Sequence, residues 1–214
     1  MKVVLWLAVL FSTFIGYTQT EKSELAYRIE SPVEYQVIQR DSGNEAWVEI
    51  KIAASLSVSE SGALEYRLDK NRSWEKLAGE WKNQNLLSRL TVPAGGWYGL
   101  EVREGGNPNN HSQVVQFGVG EIFVVAGQSN SGNYGEKKQS TQTGLVSAFD
   151  FEKKNWQLAI DPQPGAGGRG GSIMPLLGDL LVREFEMPIG IIAYGQGGTS
   201  VREWLPQGSR FPNP

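Results

Sequence analysis

The apolar pattern of the chain changes character at Gly120, and that change constrains the fold more than any other feature of the sequence. Upstream, apolar residues alternate with polar ones. In AWVEIKI, Val48, Ile50 and Ile52 alternate with Trp47, Glu49 and Lys51. In LEYRLD the apolar positions are Leu64, Tyr66 and Leu68, and in GWYGLEVRE they are Tyr98, Leu100 and Val102. A side-chain period of two with one apolar face marks a half-buried strand. Turn clusters separate these segments, among them those starting at Asp41, Pro93 and Glu104. Short strands at this spacing predict a small antiparallel β-sandwich.

Downstream, EIFVVAG (Glu121 to Gly127) and PIGIIAYG (Pro188 to Gly195) are continuous apolar runs rich in β-branched residues. Such runs are expected of strands covered on both faces. Between them SIMPLLGDLLVREF predicts a helix, with Ser172 as N-cap and Pro175 in the first turn. Leu176, Leu177, Leu180 and Leu181 make its apolar stripe, and Pro188 stops it. Strand, helix and strand in this order build a parallel sheet. The expected organisation is an Ig-like β-sandwich over residues 21–118, then the first part of an α/β domain over residues 119–214.

The first twenty residues stand apart. Lys2 gives a short positive start, Val3 to Ile15 is almost wholly apolar, and Gly16, Thr18 and Thr20 supply small residues at cleavage-compatible spacing. This is the pattern of a secretory signal peptide over residues 1–20, and the run is shorter than the roughly 20 apolar residues of a membrane-spanning helix. A secreted or periplasmic protein is expected, off the membrane once the signal is cleaved. The 214 residues carry a net charge of −3 with both signs interspersed, so no basic face offers itself to nucleic acid. The chain has no cysteine, which removes disulfides, thiolate ligands and a thiol nucleophile, and only one histidine, His111. No metal site and no cofactor are expected.

A parallel sheet collects its functional residues at the carboxyl ends of its strands. Ser129, within Gly127-Gln128-Ser129-Asn130, follows the first apolar run, and GQGGTS, Gly195 to Ser200, follows the second. If the two strands are neighbours, a serine hydroxyl faces a cluster of glycine N–H groups. That arrangement suits acyl transfer, in which the hydroxyl attacks a carbonyl and the amides stabilise the oxyanion. A serine that only caps a turn would occupy the same place. The G-x-S-x-G elbow is not met, since Ser131 stands where its last glycine belongs.

AGQSN from Ala126 and GGTSVREW from Gly197 together resemble the SGNH (GDSL-like) hydrolase superfamily. Within it the chain is similar to the carbohydrate esterases that include sialate O-acetylesterases and acetylxylan esterases, over residues 121–206. The resemblance implies a three-layer α/β domain with a parallel sheet, and an O-acetylated carbohydrate as substrate. It makes Ser129 the nucleophile and Gly197 the glycine whose N–H joins that of Ser129 in the oxyanion hole, with Gly198 as the neighbouring candidate. Gln128, Asn130, Gly198 and Thr199 are the candidates for holding the substrate. The family also has a third block that adds a polar side chain to the oxyanion hole, and a late D-x-x-H whose histidine is the general base. Neither follows Ser129 in this sequence. The chain is therefore expected to be the N-terminal part of a longer esterase, inactive alone. The alternative is a secreted carbohydrate-binding protein without catalysis.

Three features invite other readings. His111, in the polar NPNNHSQ, is read as a solvated loop residue. GAGGRG, Gly165 to Gly170, matches G-x-G-x-x-G, yet no strand leads directly into it, so it is read as a flexible loop near the site entrance. Trp47, Trp74, Trp81 and Trp97 are read as core and edge packing of the sandwich.

Overall fold

The computed structural model describes residues 26–55, 63–69 and 72–205, so the predicted signal peptide lies outside the described residues. The alternating segments form strands where the pattern places them. β1 (Tyr27–Ser31), β2 (Gln36–Gln39) and β3 (Glu45–Ala54) come first. β4 (Leu64–Leu68), β5 (Glu75–Leu77) and β6 (Glu80–Lys82) are followed by the long strands β7 (Asn85–Pro93) and β8 (Gly95–Glu104). β1, β3, β7 and β6 make a four-stranded antiparallel sheet. Its inward residues, such as Ile50, Ile52 and Leu86, meet Leu64, Leu100, Val102 and Phe117 of a second sheet in one buried cluster. Each such side chain contributes roughly 1.5–3 kcal/mol by leaving water. Burial of alternate residues is thus what holds the two sheets face to face.

NPNNH, expected as a loop, is strand β9 (Asn107–His111). Gly105 and Gly106, the latter at φ +80°, turn the chain back so that His111 lies opposite Arg103 of β8. The turn imposes the pairing on residues of low strand propensity. His111 Nδ1 sits 2.9 Å from the Ser112 carbonyl oxygen.

The next strand, β10 (Val115–Gly127), has thirteen residues and runs from one half of the chain into the other. The boundary expected between residues 118 and 119 falls inside it. Beyond β10 come β11 (Val146–Asp150), β12 (Asn155–Leu158), helix α1 (Met174–Phe185) and β13 (Ile189–Gly195). The first part of β10 pairs antiparallel with β8 and, on its opposite edge, parallel with β2. Its last seven residues pair parallel with β13, which in turn pairs parallel with β11. A mixed sheet of nine strands results, in the order β12-β11-β13-β10-β8-β4-β5, with β2 added on β10 and β9 on β8. The described chain is therefore mostly β, in one antiparallel and one mixed sheet, with a single α-helix among the described residues.

Of the two apolar runs, the one in β13 is buried on both faces over most of its length, as expected, but the one in β10 is not. Phe123 and Val125 of β10 join the cluster beneath α1, together with Val146, Ile191 and Ala193. Ile122, Val124 and Ala126 alternate to the other face, where Val124 is 67% exposed. The leucine stripe is likewise displaced. The face that α1 turns to the sheet is Met174, Gly178 and Val182, whereas Leu176 and Leu180 are exposed. Gly178 explains the choice: a Cβ there would run into the side chain of Val146, so only glycine lets the helix lie this close. Ser172 is not the N-cap, which is Ile173. Its hydroxyl instead donates to Asp161 (2.6 Å) and accepts from the Met174 N–H (3.2 Å).

Asp179 anchors α1 from within. Its buried carboxylate accepts hydrogen bonds from the Thr141 and Thr143 hydroxyls, both at 2.7 Å, and from the N–H groups of Gln142 and Thr143. Desolvation pushes this carboxyl up, but the four hydrogen bonds together outweigh it and hold Asp179 below the usual aspartate value. Polar contacts also cross between the halves of the chain. The Trp97 indole N–H donates to the Gly144 carbonyl (2.8 Å), and the Ser147 hydroxyl to that of Tyr35 (2.7 Å).

Candidate active site

The register between β10 and β13 positions the site. Gly127 lies opposite Gly195, the last residue of each strand, so the two loops leave the sheet side by side. The Gln196 N–H donates to the Gly127 carbonyl at 2.8 Å and ties them together. Gly127 has φ +149°, a region that favours glycine, and a Cβ on it would stand 2.6 Å from the Ser131 hydroxyl. A Cβ on Gly195 would collide with the Ser131 carbonyl. These two glycines let the serine loop settle directly on the strand ends.

That loop opens with a single 3-10 turn, Ser129–Ser131, closed by Ser131 N–H to Gln128 O (2.9 Å) and Gly132 N–H to Ser129 O (3.0 Å). The first N–H groups of such a turn have no acceptor within it. Those of Ser129 and Asn130 make no hydrogen bond among the described residues, and neither does that of Gly197. Ser129 is half-buried, and its hydroxyl approaches only Gln128 Oε1, at a long 3.4 Å. Its neighbours Gln128 and Asn130 are exposed, as are Gly197 and Gly198 in the adjoining loop after β13. Thr199 is engaged internally: its hydroxyl donates to the Gln196 carbonyl (2.8 Å) and accepts from the Trp204 indole N–H (3.0 Å). Trp204 also meets Tyr194 edge-on, so it holds the GGT turn against the end of β13.

The glycine-rich segment read as a flexible loop is instead stitched to the serine loop. Asn133 is buried; its side-chain amide donates to the Gln163 and Ala166 carbonyls, both at 3.0 Å, and its Oδ1 accepts from Gln163 N–H at 2.7 Å. Its backbone bonds to Gly167 and Gly170, while Gly135 and Gly171 exchange N–H to O bonds in both directions. Gly167 N–H reaches on to the Gly195 carbonyl (2.7 Å), which closes the circuit at β13. The glycines serve close backbone approach. Asn133 and Tyr134 were not distinguishable in the sequence. The one signal for them was the density of glycine on both sides, at Gly132 and Gly135 and from Gly165 to Gly171.

A groove of about 780 Å³ opens beside Ser129 and Asn130. Tyr134 stands in it, and Ile173, Leu176 and Leu180 form its apolar wall. That is the use of the leucines which α1 does not bury. His111 lies on β9, paired with the sandwich strand β8, and is not among the residues lining this groove. Among the described residues no three His, Cys, Asp or Glu side chains gather as a metal site, and no helix is long and apolar enough to cross a membrane.

The sandwich tryptophans divide. Trp81 packs on the core, and the ring of Trp74 stacks with the guanidinium groups of Arg67 and Arg103, 4.6 and 4.1 Å from its centre. Trp97 bridges to Gly144 as described. Trp47, expected in packing, is 64% exposed on the outer face of the four-stranded sheet. It lies opposite Thr91, and the strand period that buries Ala46 and Val48 turns Trp47 outward.

No family model matches the chain, and no curated protein matches it. Among solved structures it is similar to a novel carbohydrate acetylesterase from Xanthomonas citri, at 20% identity over 81% of this chain and 41% of that one, with a TM-score of 0.47. It is also similar to the fibronectin(III)-like modules of CbhA from Clostridium thermocellum, at 16% identity over 44% of this chain and 93% of that one, with a TM-score of 0.32. The chain thus spans 41% of the length of the acetylesterase it matches. At these identities and TM-scores neither likeness assigns an activity.

Proposed function

We propose that the protein is a serine esterase of the SGNH type, with the segment from Glu121 onward as part of its α/β hydrolase domain, and that it removes O-acetyl groups from a carbohydrate. The observation that carries this reading is the pairing of Gly127 with Gly195, which sets the AGQSN and GQGGTS loops next to each other at the strand ends. The Ser129 Oγ attacks the acetyl carbonyl; the new Oγ–C bond forms as the carbonyl electron pair moves onto oxygen. The N–H groups of Ser129 and Gly197, which have no other acceptor among the described residues, stabilise that oxyanion. The hydroxyl proton passes to a general base, an imidazole in the family the sequence resembles. The sugar alcohol then leaves, and water releases acetate from the acyl-enzyme. The choice between a sialate-like and a xylan-like substrate rests on the motif resemblance.

The protein expressed from the full reading frame of its gene is expected to hydrolyse 4-nitrophenyl acetate and to release acetate from an acetylated glycan. Ser129→Ala is expected to lower kcat by at least about 1000-fold with the fold intact by circular dichroism. A folded Ser129→Ala protein of undiminished activity would remove Ser129 from the chemistry.

One observation favours a second reading, glycan binding without catalysis: the exposed Trp47 on the outer face of the four-stranded sheet, flanked by Thr91, Glu49 and Arg89. An exposed indole face can stack on a pyranose ring while polar neighbours hydrogen-bond its hydroxyls. Glycan affinity lost in Trp47→Ala and unchanged in Ser129→Ala would support that reading over the first.

A further inference from the structure

Tyr134 is held more rigidly than its exposure suggests. It stands between Asn133, whose side chain and backbone are both bonded to the 163–170 segment, and Gly135, which exchanges two hydrogen bonds with Gly171. The backbone on both sides is therefore fixed, and the side chain is left 54% exposed in the groove beside Ser129. Its ring lies over Gly132, where a Cβ would come within 2.9 Å of Cε2. Its hydroxyl lies over Gly197, 2.7 Å from where a Cβ of that residue would stand, and 3.1 Å from the same point on Gly167. Glycine at 197 is what lets the phenol come this close. The hydroxyl makes no hydrogen bond among the described residues. A tyrosine on a hydrogen-bonded backbone, whose O–H has no partner among the described residues and lies against the glycine assigned to the oxyanion hole, is a donor awaiting an acceptor.

We propose that Tyr134 is a further catalytic residue: its hydroxyl donates a hydrogen bond to the carbonyl oxygen of the bound ester and strengthens that bond as the oxygen becomes anionic. The inference rests on the esterase reading of Ser129. The proton stays on the tyrosine throughout; the Ser129 proton goes to the general base, and the carbonyl oxygen takes only electron density. Tyr134 thus adds a side-chain donor from the serine loop itself to the N–H groups of Ser129 and Gly197, beside the polar side chain that the third block supplies in the resembled family.

Tyr134→Phe tests this without disturbing the ring that covers Gly132. In the protein expressed from its full reading frame, with 4-nitrophenyl acetate as probe, kcat is expected to fall about 100-fold, the cost of one oxyanion donor. KM is expected to stay within about twofold, because a donor used mainly in the transition state contributes little to ground-state binding. Inhibition by methylboronic acid, which forms an anionic tetrahedral adduct on a reactive serine, is expected to weaken in parallel. A wild-type kcat, or a change confined to KM, would overturn the assignment. Ser129→Ala measured alongside separates the two claims. An inactive Ser129→Ala beside an unimpaired Tyr134→Phe removes only the role of Tyr134, whereas an active Ser129→Ala removes the esterase reading and this inference with it.

Discussion

Asn133 shows how much of the candidate site depends on a residue that would never touch substrate. Its side chain makes three hydrogen bonds from a buried position, all to backbone groups some thirty residues away. At roughly 1 kcal/mol for each bond, and more where a partner is left buried and unpaired, Asn133→Ala is expected to lower stability by about 3 kcal/mol. Thermal unfolding would show this as a lower Tm; an unchanged Tm would mean that the glycine-rich segment holds itself in place. The placement of Ser129 and of the segment from Gly195 to Ser200 at strand ends was legible in the sequence because each follows an apolar run. The choice of Gly197 within that segment comes only from the motif resemblance. Asn133 and Tyr134 were not legible, because their roles exist only once residues 163–171 fold back on them.

Among the elements, α1 illustrates the limit of reading hydrophobicity alone. Four leucines at helical spacing made the obvious core face, yet the helix turns Gly178 to the sheet and leaves Leu176 and Leu180 on the groove. Close approach decided the orientation, and a glycine gives no apolar signal from which it could be foreseen. Gly178→Ala separates the two effects. Helix propensity alone would stabilise by about 1 kcal/mol. The added methyl, however, meets the buried Val146 side chain, and overpacking of this kind costs roughly 1–3 kcal/mol. Net destabilisation is expected in denaturant unfolding, and a net gain would place the helix farther from β11 than described. The strands of the first half were legible because alternation is enforced by burial. β9 was not, since Asn107 and His111 pair through the glycine turn before them and not through their own propensity.

At the scale of the whole molecule, β10 makes one continuous sheet of what the sequence reads as two domains. The change in pattern at Gly120 is real, but it marks a change of neighbours along one strand. A charged cluster sits at that point. Gln39 Nε2 donates to Glu121 Oε2 and Arg40 Nε to Glu121 Oε1, both at 2.7 Å, while the Ile122 N–H donates to Gln39 Oε1. The hydrogen bond from Gln39 first, then the Arg40 hydrogen bond and charge, outweigh partial desolvation and hold the Glu121 carboxyl below its ordinary value of 4.5. A depressed carboxyl contributes stability that is present above the unfolded-state value and is lost as pH falls through the folded one. Glu121→Gln is therefore expected to cost about 1 kcal/mol at pH 7, with the difference from wild type closing as pH falls below 4.5. A gap that persists at low pH would assign the loss to packing instead. The central claim, that the paired ends of β10 and β13 form an acyl-transfer site, is tested most directly by peptide mapping. The protein expressed from its full reading frame would be treated with a fluorophosphonate and digested. The account predicts the phosphonyl adduct on Ser129; an adduct on another serine, with Ser129 unmodified, would contradict it.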